Sequence, residues 1–215
     1  MQLRFMGTGA ADWKISERKD NEFFRRLTSA VIDDELMIDC SADTKDYLNQ
    51  TGTSLSGVKN LIITHTHSDH YYPETIKDIL DKNIKIWTEK NTIAKISADL
   101  LDYSIEELKL FTSEKVGDYA VTGVPANHVV SDENQIPMHY IIEKDDKTVF
   151  WGCDGAWLLC NSWHEIKKHK YDLIVLDGTL GEDEGDYRIF EHNNLSMVIE
   201  MKKSLEKHIK RFCIS

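Results

Sequence analysis

Four side chains able to bind a metal fall within six residues: His65, His67, Asp69 and His70, in the run Thr64-His65-Thr66-His67-Ser68-Asp69-His70. The run leaves directly from Leu61-Ile62-Ile63, an apolar triplet that reads as a buried strand. His65 and His67 are two apart, and in an extended segment that spacing turns both rings to the same face. Asp69 and His70 follow where the strand must break into a loop, so they can turn toward a second point in space. Imidazole and carboxylate donors without cysteine suit zinc, manganese or iron and leave coordination positions open for water. A polar turn is the bland alternative in a chain with nine histidines. The order of these residues behind a β run favours metal.

Four further segments carry candidate groups. Residues 121–128 read as an apolar strand ending in an isolated His128, which alone is more often a surface or structurally satisfied histidine. Val149-Phe150-Trp151-Gly152-Cys153-Asp154-Gly155 is a strand with Asp154 at its carboxyl end, although a lone Asp-Gly is usually a turn. Residues 173–179 form another buried strand with a polar end, where Asp177 either orients a histidine ring or caps a turn. His192 stands just before a final helix that carries Met197, Val198, Met201 and Leu205 at core spacing.

His-x-His-x-Asp-His behind a short strand, followed in order by His128, Asp154 and His192, resembles the metallo-β-lactamase superfamily across essentially the whole chain. The resemblance implies an α/β (α+β) fold, a four-layer αββα sandwich with the site where strand-end loops meet. It implies two divalent metal ions, zinc foremost, with manganese or iron as alternatives. His65, His67 and His128 would hold one metal, and Asp69, His70 and Asp154 the second, with Asp154 bridging. The family pattern closes with another histidine after a final strand. Here that strand, residues 210–215, ends the sequence. The expectation is a C-terminal end truncated before that ligand, or a second site held by fewer protein groups.

Gly7-Thr8-Gly9 after the first strand, Asp177-Gly178-Thr179 and His192 resemble the phosphodiesterase branch of the superfamily, which includes ribonuclease Z and the cyclic phosphodiesterase of phosphonate breakdown. In that branch a metal-bound hydroxide attacks the phosphodiester. Asp69 and His192 are the catalytic residues this implies, Asp69 orienting or deprotonating the water and His192 assisting the leaving oxygen. Only 25 residues separate His128 from Asp154, too few for the long tRNA-clasping arm of some ribonuclease Z members, and the His-Glu-Ala-Thr motif is absent. The substrate expected is a small cyclic or nucleotide-like phosphodiester. A thioesterase of the glyoxalase type shares the same motif and is the main alternative. A non-catalytic metal-binding carrier resembling the pyrroloquinoline quinone biosynthesis protein is another, as is a domain retained only for partner binding.

The elements that must position these groups alternate between strands and amphipathic helices. A strand over residues 2–6 ends in Gly7-Thr8-Gly9, where a tight turn with close backbone approach competes with a phosphate-cradling loop that lacks the Walker lysine. Residues 12–24 read as an irregular loop near the site mouth, and a hairpin follows over 25–39, turning at Asp34-Glu35. Arg25 or Arg26 could reach a substrate anion, although such a pair is more often solvated. Helices are expected over 43–49 with Ser41 as N-cap, from Pro73 with an Ile76, Ile79 and Leu80 stripe, over 92–101 and over 158–168. Trp13, Tyr71, Tyr72 and Trp157 are candidates for the pocket wall, against a default of core or rim packing.

Composition bounds the rest. With 215 residues, 41% hydrophobic and 29% charged, the chain reads as one soluble domain, residues 1–215, long enough for a substantial core. No apolar run reaches the roughly 18 residues of a membrane span, and the start lacks a signal-like core. Cys40, Cys153, Cys160 and Cys213 are dispersed without a CxxC pair and read as buried thiols of a cytoplasmic protein. The net charge of −11 argues against a long nucleic acid as partner. The expected partner is a small-molecule phosphodiester, and the chain acts alone or as a homodimer.

Overall fold

The computed structural model describes residues 1–11 and 25–210, and the backbone of 212–214. The expected loop over 12–24, with Trp13, lies outside them, as does the side chain of Cys213. The chain divides into two compact units, Met1–Glu107 and Leu108–Ser215, each built on one six-stranded mixed sheet with its own helices.

In the first unit the strands lie in sequence order. They are β1 (Leu3–Gly7), β2 (Ser29–Ile32), β3 (Leu36–Ile38), β4 (Asn60–Ile62), β5 (Lys85–Thr88) and β6 (Ser104–Glu107). β1 to β3 are antiparallel, and the turn joining β2 to β3 carries Asp33 and Asp34 at φ 52° and 57°, the left-handed region that Asp tolerates better than most residues. From β3 onward the strands run parallel, because a helix crosses over between each pair: α1 (Thr44–Thr51), α2 (Pro73–Ile79) and α3 (Lys90–Ile96). β2, β3 and β4 are buried at every residue, which explains the apolar runs that follow Ser29 in β2 and Asn60 in β4 and fill β3. Met37, Leu61, Ile63 and Ile86 pack with Ile76 and Leu80 of the α2 segment and with Ile96 in the core of this unit.

Gly7 and Gly9 settle the nature of the first turn. A Cβ on Gly7 would stand 1.9 Å from the Leu27 carbonyl oxygen, and one on Gly9 2.2 Å from that of Arg25. The glycines are there because backbone passes against backbone, with Gly9 N donating to Arg26 O at 2.7 Å. Asp43, not Ser41, stands at the N-cap position of α1 but makes no side-chain capping bond; the Ser41 hydroxyl is turned to the Leu27 carbonyl and Thr44, and Gly52 ends the helix at φ 69°. Arg26 bonds Asp46 and Gln50 and stacks over Tyr47, the surface role of the two considered for it.

The second unit orders its strands β12-β11-β10-β9-β8-β7: β7 (Ser113–Val116), β8 (Tyr119–Pro125), β9 (Met138–Lys144), β10 (Lys147–Gly152), β11 (Leu173–Leu176) and β12 (Phe212–Ile214). β7 to β10 form an antiparallel meander; α4 (Cys160–Ile166) and α5 (Leu195–Leu205) then make the parallel crossovers to β11 and β12. Val124, Ile141, Phe150, Ile174 and Leu176 pack with Ile166, Val198, Met201 and Leu205 in its core. Because β9 reverses between β8 and β10, the carboxyl ends of β8, β10 and β11 share one edge of this sheet. Cys40 and Cys153 are buried as expected, but Cys160 is exposed at the start of α4. Among the described residues no helix is long and apolar enough to cross a membrane.

Candidate metal centre

Both units gather their metal-competent groups at the carboxyl ends of strands. In the first, Asp39 follows β3 and Thr64-His65 follow β4, and parallel pairing puts the two strand ends side by side. Asp39 is fully buried and sits at φ 55°. It accepts from Thr64 N at 2.8 Å, from Thr64 Oγ1 at 2.9 Å and from His70 Nδ1 at 2.8 Å. Thr64 Oγ1 spends its one proton on Asp39, so at 3.0 Å it accepts from His65 Nδ1. Both histidines are thereby fixed in the tautomer that offers Nε2 as a ligand. The rings cluster: centroids are 4.7 Å apart for His65 and His67 and 4.4 Å for His65 and His70. Asp69 is buried beside them, and His67 is half-buried. Burial, the largest influence on Asp39, raises its pKa, although His70 and Thr64 oppose the shift.

The second unit collects His128 after β8, Asp154 after β10, Asp177 after β11 and His192 before α5. His128 Nδ1 donates to the Glu191 carbonyl at 3.2 Å, again making Nε2 the ligand nitrogen. His128 and His192 lie edge to face with centroids 5.0 Å apart. His192 Nδ1 donates to Asp177 Oδ2 at 2.8 Å. Asp154, Asp177 and His192 each offer a ligand atom within 4.8 Å of the others. Burial pulls the His192 pKa down, but the hydrogen bond and charge of Asp177, with Asp154 and Glu191, outweigh it and raise it overall.

A divalent metal fits these donors by distance as well as by type. His70 Nε2 stands 3.5 Å from Asp69 Oδ2, and His128 Nε2 stands 3.7 Å from Asp154 Oδ2. These spacings are long for hydrogen bonds. They are close to the ~3.3 Å that separates two ligands about 2.0 Å from one tetrahedral ion.

Each unit thus brings together its own share of the anticipated residues: His65, His67, Asp69 and His70 in one, His128, Asp154 and His192 in the other. Asp177 takes the ring-orienting role, not the turn cap alone. Asp39 is the functional group that sequence reading missed, since it closes an ordinary hairpin strand and only its left-handed backbone sets it apart. Of the aromatic candidates, Tyr71 belongs to the core, with its hydroxyl on Asp99 at 3.1 Å, while Tyr72 and Trp157 are exposed.

A family model described as anti-Pycsar protein Apyc1 matches residues 1–73, the stretch that carries both Gly7-Thr8-Gly9 and the His65–His70 run. No curated protein matches the chain in sequence. Among solved structures, a diphosphatase of the PhnP family is similar at TM-score 0.70 and 14% identity, over 99% of this chain and 85% of that one. The metallo-β-lactamase fold protein YhfI of Bacillus subtilis is similar at TM-score 0.70 and 12% identity, over 99% and 95%. Zinc-bound PqqB of Methylobacterium extorquens is similar at TM-score 0.69 and 15% identity, over 85% and 74%. Two mixed sheets with their helices, matched over nearly its full length, give this chain the metallo-β-lactamase fold.

Proposed function

We propose that the two clusters together form one dinuclear metal centre, and that the protein is a metal-dependent hydrolase of small phosphodiesters, cyclic or nucleotide-like. His65, His67 and His128 would hold one ion, and Asp69, His70 and Asp154 the other, with Asp154 shared. The observation that carries this reading is the tautomer control at His65, His70 and His128. Each has its Nδ1 proton committed to an oxygen of its own unit, which aims Nε2 as a ligand. Zinc is the metal the donor set suits best, with manganese and iron next.

Divalent ions held there would supply positive charge for the phosphate oxygens and would bring the pKa of a bound water toward ~7. The chain's own groups do the rest. Asp69 orients the attacking water and takes its proton. His192, held by Asp177 at Nδ1, presents Nε2–H to the departing alcohol oxygen. The net charge of −11 disfavours a long polyanion and leaves a small anion drawn in by the metals. The likeness to a PhnP-family diphosphatase supports phosphate-centred chemistry. The dispersed thiols support a cytoplasmic setting.

Turnover of an aryl phosphodiester tests the reading. Activity should depend on added divalent metal and fall by 10²-fold or more in Asp69→Ala. A metal-loaded chain that hydrolyses thioesters but no phosphodiester would move the assignment to the glyoxalase-type alternative. Likeness to zinc-bound PqqB favours a second reading, a metal-binding carrier, in which neither ester is turned over.

A further inference from the structure

Asp154 carries the most demanding backbone of the proposed ligands. Its φ of 53° places a non-glycine residue in the left-handed region, at a cost that surrounding contacts must offset. Those contacts grip the peptide groups on both sides of it. His139, on β9, donates from Nε2 to the Asp154 carbonyl at 3.1 Å. Asn193 donates from Nδ2 to the Gly155 carbonyl at 2.6 Å, and Gly155 N donates to Asp177 Oδ2 at 3.1 Å. A Cβ on Gly155 would meet the His139 ring at 2.8 Å, so the ring is seated directly against the turn.

His139 and Asn193 are themselves costly to bury. Both are 1% exposed, and His139 Nδ1 and Asn193 Oδ1 find no hydrogen-bond partner among the described residues. An apolar side chain of similar volume would fill either place without that penalty. What each gains for it is one bond to the Asp154-Gly155 turn.

We propose that His139 and Asn193 are positioning residues for Asp154, clamping the turn in its left-handed form so that the carboxylate is presented as the shared metal ligand. The proposal rests on the dinuclear reading given above for the function of Asp154, but the clamp itself acts on the metal-free chain. His139 is the more informative of the two. It reaches the turn from a neighbouring strand of the meander, and its side chain makes no other hydrogen bond among the described residues.

The experiment compares the full chain with His139→Leu, His139→Gln and Asn193→Asp by two readouts. The first is cobalt(II) titration followed by its visible absorption. The second is amide hydrogen exchange at Gly155 without metal. His139→Leu should bind the cobalt held with Asp69 and His70 about 10–100-fold more weakly, and the other equivalent more weakly as well, because Asp154 is shared. Its Gly155 amide should exchange at least tenfold faster, with β9 protection kept. His139→Gln, whose amide nitrogen reaches the same point, should restore both. Asn193→Asp, which turns an acceptor toward the Gly155 carbonyl, should reproduce the loss even if the leucine variant fails to fold. Unchanged cobalt affinity and unchanged Gly155 exchange in His139→Leu and Asn193→Asp would overturn the clamp. If the parent bound no cobalt but Gly155 still loosened in the variants, the clamp would stand and the dinuclear reading would fall.

Discussion

Asp177 Oδ2 lies 2.8 Å from His192 Nδ1, and the same oxygen accepts from Gly155 N at 3.1 Å. One buried carboxylate oxygen therefore fixes both the proposed proton donor and the turn that carries Asp154. Asp177 is 2% exposed, and its other oxygen accepts from Thr179 N at 2.7 Å, so it is held as firmly as the groups it holds.

Asp177→Asn should therefore lower kcat for an aryl phosphodiester about 10–100-fold with little change in KM. The pH profile carries the sharper information. His192 acts as an acid only while protonated, and Asp177 raises its pKa. Activity is lost as pH rises through that pKa, so the alkaline limb should move to lower pH in Asp177→Asn. An alkaline limb that stayed in place would remove His192 as the proton donor.

Asp39 predicts a stability effect. It is wholly buried and takes three hydrogen bonds from Thr64 and His70 at 2.8 to 2.9 Å. Asp39→Ala leaves the His70 Nδ1 proton and the Thr64 donors buried without their acceptor and should cost about 3–5 kcal/mol. Urea unfolding of the metal-free chain measures it, and a loss under 1 kcal/mol would refute the buried pair.

Legibility in the sequence followed the strength of local signals. The apolar runs of β2, β4, β10 and β11 mark their strands, and the dense His65–His70 run marks its cluster without help from the rest of the chain. β6, Ser-Ile-Glu-Glu, and β7, Ser-Glu-Lys-Val, have no apolar alternation to reveal them, because edge strands are half-solvated. Helix ends were less legible: α3 stops at Ile96 although Leu100 continues the stripe into the core, and α1 runs on to Thr51, past the expected Asn49. Asp39, His139 and Asn193 were invisible for another reason. Their importance lies in which groups they meet 31, 15 and 38 residues away, the His70 ring for Asp39 and backbone carbonyls for His139 and Asn193, a pairing that no local pattern encodes.

Acid sensitivity has a named source in His139. Burial holds its pKa down at about 4, against 6.5 for an ordinary histidine. Between those values the unfolded chain binds the proton and the folded chain does not, so stability falls as pH drops from 6.5 toward 4. The full span corresponds to about 3 kcal/mol. His139→Gln, which cannot titrate, should flatten that part of the stability–pH curve in the metal-free protein. An unchanged slope would mean that His139 protonates in the folded state.

Gly7→Ala should be poorly tolerated for steric reasons alone. The added methyl would stand 1.9 Å from the Leu27 carbonyl oxygen, and backbone on both sides must move. A loss of at least ~2 kcal/mol is expected from such overpacking, read by thermal or urea unfolding. Parent-like stability would contradict the close approach.

Metal content tests the central claim most directly. The purified chain, loaded with zinc and freed of excess, should retain two equivalents by elemental analysis. His65→Ala and His128→Ala, one change in each unit, should each reduce that number. Retention of no stoichiometric metal by the parent, or a full complement in both variants, would contradict a shared dinuclear centre.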